Sequence, residues 1–135
     1  MGSQTNGREL PGFQKKSFAL PFDGGEIWFE HLDGIYGFTE LVLEKLSGDI
    51  PVFQRPSSPS NIGFVLNETD ITESVIEMIV SSLLDTKKRF MRVAFIGADK
   101  RTAKELKKRL YGNGFGLCFF ADFEKAKIWL VSEGI

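Results

Sequence analysis

From Lys16 to Phe22, Phe18, Leu20 and Phe22 recur at every second position, the periodicity of a strand. Asp23-Gly24-Gly25 is a turn signal, and Glu26 to Leu32, with Ile27, Trp28, Phe29 and Leu32, predicts a second strand paired with the first as a hairpin. Asp33-Gly34 and Gly37 then break the chain. Thr39 to Leu46, with Leu41, Val42 and Leu46, predicts a helix that Phe38 anchors and Ser47-Gly48 ends. Asp49 to Asn61 carries Pro51, Pro56 and Pro59 among Ser57, Ser58 and Ser60 and reads as an exposed loop, in which Ile50 to Phe53 offers a short edge strand. So long a loop inside a compact domain is a candidate for function.

The second half is more regular. Ile62 to Leu66 is a short apolar strand, and Gly63 within it signals a close backbone approach. Asp70-Ile71-Thr72-Glu73 fits a capping box, with Asp70 accepting from the N–H of Glu73. The helix behind it runs to about Thr86, with Val75, Ile76, Ile79, Val80, Leu83 and Leu84 on a broad apolar face. Val93 to Ile96 is continuously apolar, as buried central strands are. Asp99 caps a helix with the stripe Ala103, Leu106 and Leu110, stopped by Gly112-Asn113-Gly114. Leu117 to Phe120 is the last strand, and Asp122 caps a last helix with Phe123, Ala126 and Leu130 inward and Trp129 beside them.

The order β-β-α-β-α-β-α-β-α predicts an α/β fold, with parallel strands joined by helical crossovers and an antiparallel hairpin at one edge. Residues 1–12 are expected to be a disordered tail and 13–135 a single domain, which 135 residues fit.

Composition narrows the chemistry. The formal net charge of −1 disfavours a dedicated nucleic-acid binder. One cysteine, Cys118, makes no intrachain disulfide, reads as a small core residue and suits a reducing compartment such as the cytoplasm. One histidine and one cysteine fall short of a zinc ligand set, and no metal or cofactor is expected. No run reaches a membrane span, and the polar stretch Met1 to Pro11 has no signal-peptide core.

Four local features remain. Lys100, Arg101, Lys104, Lys107, Lys108 and Arg109 crowd one helix. They read as a solvated face, with Glu105 pairing Arg101 or Arg109, or alternatively as an anion-binding face. Gly97-Ala98-Asp99 opens that helix without a phosphate-loop motif, so Asp99 reads as a cap. His31, near Glu30 and Asp33, reads as a surface or hydrogen-bonded histidine, and the aromatics Trp28, Phe29, Tyr36 and Phe38 as core. Thr72, Glu73 and Ser74 lie at a helix start, where free backbone N–H groups would favour a phosphate.

Residues 61–134 resemble the STAS superfamily of sulfate-transporter and anti-sigma-factor-antagonist domains, in its SpoIIAA-like branch. The resemblance rests on the strand Ile62-Gly63-Phe64-Val65-Leu66-Asn67, the helix from Ile71 and the strand Met91-Arg92-Val93-Ala94-Phe95-Ile96-Gly97. It rests above all on the close Phe119-Phe120-Ala121-Asp122-Phe123-Glu124-Lys125-Ala126-Lys127-Ile128-Trp129-Leu130. It implies a mixed sheet with helices mainly on one face, no catalysis by the domain itself, and a protein-interaction role in bacterial regulation. In the anti-sigma-factor antagonists a partner kinase phosphorylates a serine in an Asp-Ser-Ser-Gly motif at the start of the second helix. Here Ile71-Thr72-Glu73-Ser74-Val75 stands instead, so Thr72 and Ser74 match by position and not by motif. The expected partner is another protein, meeting the start of that helix and the loop 49–61. The alternatives are a carrier or sensor of a small apolar ligand or lipid, suggested by thirteen phenylalanines, and an anion or nucleic-acid binder working through 100–109.

Overall fold

The two periodicities become five strands and four helices in a computed structural model that describes residues 16–22 and 25–132. The predicted tail 1–12, and Asp23 and Gly24 of the hairpin turn, lie outside the described residues. In chain order the elements are β1 (Phe18–Phe22), β2 (Gly25–His31), α1 (Thr39–Phe53), β3 (Asn61–Val65), α2 (Glu73–Leu84), β4 (Arg92–Ile96), α3 (Lys100–Leu110), β5 (Gly116–Phe120) and α4 (Phe123–Val131). They form one sheet in the order β1-β2-β3-β4-β5. β1 runs antiparallel to β2, with Phe18 opposite Phe29, and the other neighbours are parallel.

Strands that advance one place at a time in one direction, each joined by a right-handed crossover, put their helices on the same face. α1, α2 and α3 accordingly share one core with the residues of one strand parity, Ile62, Phe64, Val93 and Phe95. The other parity, Ile27, Phe29, Val65, Ala94 and Ile96, meets Ala126 and Leu130 of α4, which follows the last crossover and is free to cross to the opposite face. Both faces of β3 and β4 are therefore covered, which is why these strands read as unbroken apolar runs. Gly63 is the close approach its position suggested: a Cβ there would lie 2.9 Å from the Phe29 ring and 3.3 Å from Leu130 Cδ1. Arg92 ties down the end of α4, donating to Trp129 O at 2.8 Å and to Ser132 O and stacking 5.7 Å from the Trp129 ring.

Several expectations are corrected. α1 does not stop at Ser47-Gly48 but continues through Pro51 to Phe53, so Ile50 to Phe53 is a helical turn and neither loop nor edge strand. Pro51 removes one N–H donor, but Phe53 is fully buried against Trp28, Phe64 and Phe90, and that tertiary packing outweighs local propensity. The irregular segment shrinks to 54–60. α2 ends at Leu84, before Thr86. On α3 the inward stripe is Thr102, Leu106 and Leu110, with Ala103 at its margin. Cys118 is half-buried on an edge strand rather than enclosed in the core.

Candidate interaction site at the carboxyl end of the sheet

Because β2 to β5 are parallel, their carboxyl ends and the starts of all four helices gather at one end of the sheet, the usual place for a site on such a scaffold. The loops there are tied together by extensions of the strand ladders. Leu32 N donates to Val65 O at 3.0 Å, Gly34 N to Asn67 O at 2.9 Å and Leu66 N to Ile96 O at 2.8 Å. Thr69, buried, donates from its hydroxyl to Leu32 O and accepts from Ile35 N at 3.3 Å. Asp70 Oδ2 accepts from Gly37 N at 2.9 Å. Gly34 and Gly37, at φ 75° and 78°, give the 32–38 loop turns that side-chain-bearing residues resist. Glu68, without that freedom, sits at φ 53°, a conformation that costs about 1–2 kcal/mol and is held by its bonded neighbours.

This frame holds Tyr36 and Phe38 out of the core, 59% and 42% exposed. The sequence suggested that they are core. Ile35 and Leu32 take the inward positions instead, and both are fully buried. Exposed carboxylates flank Tyr36 and Phe38 in the two joined loops: Glu40 follows Phe38 in the chain, Asp70 is bonded to Gly37 between the two aromatics, and Glu68 lies two residues before Asp70. The arrangement is an apolar patch with an acidic rim, on a loop fixed to its neighbour.

The predicted helix-start residues lie beside this patch. Thr72, not Asp70, is the N-cap of α2 and accepts from Val75 N at 3.4 Å. Asp70 is drawn away by Gly37. Glu73 does not reach back to close a capping box; it pairs with Arg109 Nη2 at 2.7 Å, joining α2 to α3. Ser74 is exposed. The loop 54–60 does not join them. It leads into the start of β3 while 66–72 leaves its end, so a five-residue strand, about 16 Å long, separates the two.

The basic helix also divides. Arg109 is held between Glu73 and Glu105, both at 2.7 Å. Lys100, Arg101, Lys104, Lys107 and Lys108 are exposed, and among the described residues none of them forms an ion pair. Asp99 caps α3 as expected, accepting from Thr102 N at 2.8 Å, and that bond holds its carboxyl below the usual range.

A second polar group went unread in the sequence. Glu30 is fully buried on the face of β2 that packs under α1. Its Oε1 accepts from Trp28 Nε1 at 2.9 Å, while Lys45 Nζ lies 3.8 Å from Oε2. Burial foremost, and Asp49 beside it, push the Glu30 carboxyl up to about 9, so at neutral pH it keeps its proton. Ser17 Oγ links the cluster: it donates to Asp49 Oδ2 at 3.1 Å and accepts from Lys45 Nζ at 2.7 Å and from His31 N at 3.0 Å. Burial pushes Asp49 up, but hydrogen bonds from Glu30, Lys45 and Ser17 outweigh it and leave that carboxyl below the usual range. The signal was the alternation Trp28, Glu30, Leu32, which sets a carboxylate on the same face as two apolar residues.

His31 is hydrogen-bonded, as expected, with Nδ1 2.8 Å from Asp33 Oδ1, and the Phe18 and Phe123 rings both stack with its imidazole. Among the described residues no cluster of three or more His, Cys, Asp or Glu side chains is placed to hold a metal, and no helix is long and apolar enough to cross a membrane. No protein-family model, no curated protein and no solved structure matches this chain.

Proposed function

We propose that this protein is a non-catalytic interaction domain of a bacterial regulatory system, of the kind the STAS resemblance implies, whose protein partner docks on the carboxyl end of the sheet. The observation that carries the reading is the exposure of Tyr36 and Phe38 on a loop pinned to Asp70, next to the start of α2. Large aromatic side chains held rigidly in water are the anchors that protein interfaces favour. The rim of Glu40, Glu68 and Asp70 specifies the partner's chemistry: a protein surface combining apolar with basic side chains. Glu73 already supplies a carboxylate at the helix start, so this reading does not depend on phosphorylation of Thr72 or Ser74.

The ligand-carrier reading ranks lower because the phenylalanines are engaged with one another. Phe90, Phe53, Phe64, Phe95 and Phe119 form one chain of ring contacts, with centroids 5.2 to 6.2 Å apart. The test is affinity capture from the source cells with three folded baits: wild type, Tyr36→Ser/Phe38→Ser, and Ile128→Ser, which removes an exposed apolar residue on α4. The expected result is a partner retained by wild type and Ile128→Ser, lost to the double variant and released by salt. Equal retention by all three baits overturns the proposal.

A further inference from the structure

The sheet ends at β5, whose outer edge no described strand covers. Gly116 N donates to Met91 O and Phe120 O accepts from Gly97 N, each at 2.8 Å, so the even-numbered residues of β5 turn their peptide groups toward β4. By the alternation of a strand, Leu117 and Phe119 turn theirs outward. Natural edges are commonly blunted by a charge or a proline. β1, at the other edge, carries Pro21; β5 reads Gly116-Leu117-Cys118-Phe119-Phe120 and carries neither.

What flanks this edge is charged. At about 100° per residue, Lys100, Lys104 and Lys107 fall in one stripe of α3 roughly 60° wide, which Tyr111, the residue that caps the helix end, continues. Lys107 and Tyr111 line a groove of about 550 Å³ together with Leu117, Cys118 and Phe119, so the stripe runs alongside the open strand. All three lysines are exposed, and Tyr111 is 78% exposed.

We propose that the β5 edge is a docking site for an extended acidic segment of a partner protein, added as a further strand beside β5 and under the lysine stripe. Its backbone would bond the outward N–H and C=O groups of Leu117 and Phe119, its carboxylates would point to the α3 side and meet Lys100, Lys104 and Lys107, and its alternate, apolar side chains would lie on the opposite face of the sheet. Charge selects this occupant. A second copy paired edge to edge about a two-fold axis would bring its own α3 to the same face and set lysine stripe against lysine stripe. A nucleic acid would use the lysines and leave the strand edge unpaired. The site runs along the β5 edge and reaches the carboxyl end of the sheet only at Lys100; its strand-pairing groups are those of Leu117 and Phe119, not the patch of Tyr36 and Phe38, and either assignment can fail without the other.

The test needs only the intact chain and a short fluorescent peptide alternating Glu and Val. Anisotropy should report binding that weakens with salt, and the amide signals of Leu117 and Phe119 should shift most. N-methylation of the peptide on its pairing side should weaken binding about tenfold or more, since it removes strand bonds and leaves charge intact. Lys104→Glu/Lys107→Glu should weaken it by a similar factor with an unchanged melting temperature, because neither lysine is held by an ion pair among the described residues. Four results would overturn the proposal: no binding up to ~1 mM peptide, equal binding of the N-methylated peptide, tighter binding of a single-stranded oligonucleotide, or a dimer in which the Leu117 and Phe119 amides are already protected from exchange.

Discussion

Trp28 Nε1 donates to Glu30 Oε1 at 2.9 Å, two residues along the same face of β2, so the indole of a core residue holds a buried acid in place. The other oxygen of Glu30 has no donor within hydrogen-bond reach, which suits an acid that carries its own proton toward Asp49.

This arrangement makes stability depend on pH. The Glu30 carboxyl titrates at about 9 in the folded chain against an ordinary value of 4.5. Between those values the folded state holds a proton that the unfolded state has released, so stability is fully present below 4.5 and falls as pH rises toward 9. The expected loss is about 2–5 kcal/mol. Asp49, held below its ordinary 3.8, acts in the opposite sense, and its contribution is lost only in acid. Glu30→Gln keeps the shape, has nothing to ionise and should flatten the profile. Urea unfolding at several pH values checks this; the same slope in both proteins would rule out Glu30 as its source.

Gly63 lets Phe29 and Leu130 lie flush on β3. Gly63→Ala should therefore cost about 1–3 kcal/mol by overpacking. Adding Phe29→Leu should cost less than the sum of the two single changes, because the alanine methyl then has room. Strict additivity in a double-mutant cycle would show that the ring is not what resists the methyl.

Thr72 takes the cap role that the sequence suggested for Asp70, and the difference is measurable. Thr72→Ala should lower stability by about 1 kcal/mol through loss of the α2 cap. Asp70→Ala should instead free the 32–38 loop, seen as faster amide exchange at Gly37 with α2 unaffected. Faster exchange through the first turn of α2 in Asp70→Ala would restore Asp70 as the cap.

The α/β class, the hairpin and the alternation of strands and helices were legible because periodicity records burial. Leu20 and Phe22 are half-buried on one face of β1, with Phe18 exposed at its start, while Val93 to Ile96 are buried on both faces. Asp99 and Asp122 were readable as caps because their signal is local. What escaped depended on contacts distant in sequence. Pro51 marks a break by its own chemistry, and only Phe53 meeting Phe64 and Phe90 keeps the helix intact. Asp70 and Thr72 are equally good caps until Gly37, more than thirty residues away, takes one of them. Tyr36 and Phe38 read as core because aromatics usually are, and only the turns at Gly34 and Gly37 set them outside. Of the candidate site, the helix start was therefore visible in the sequence and its aromatic neighbours were not.

The most direct measurement of the central claim is hydrogen exchange across the chain with and without the captured partner at saturation. The expected result is added protection over residues 33–40 and 67–75, the two loops joined by Asp70, and little change in 54–60 at the opposite end of the sheet. Protection centred on 54–60, with Tyr36, Phe38 and the start of α2 exchanging as in the free chain, would contradict it.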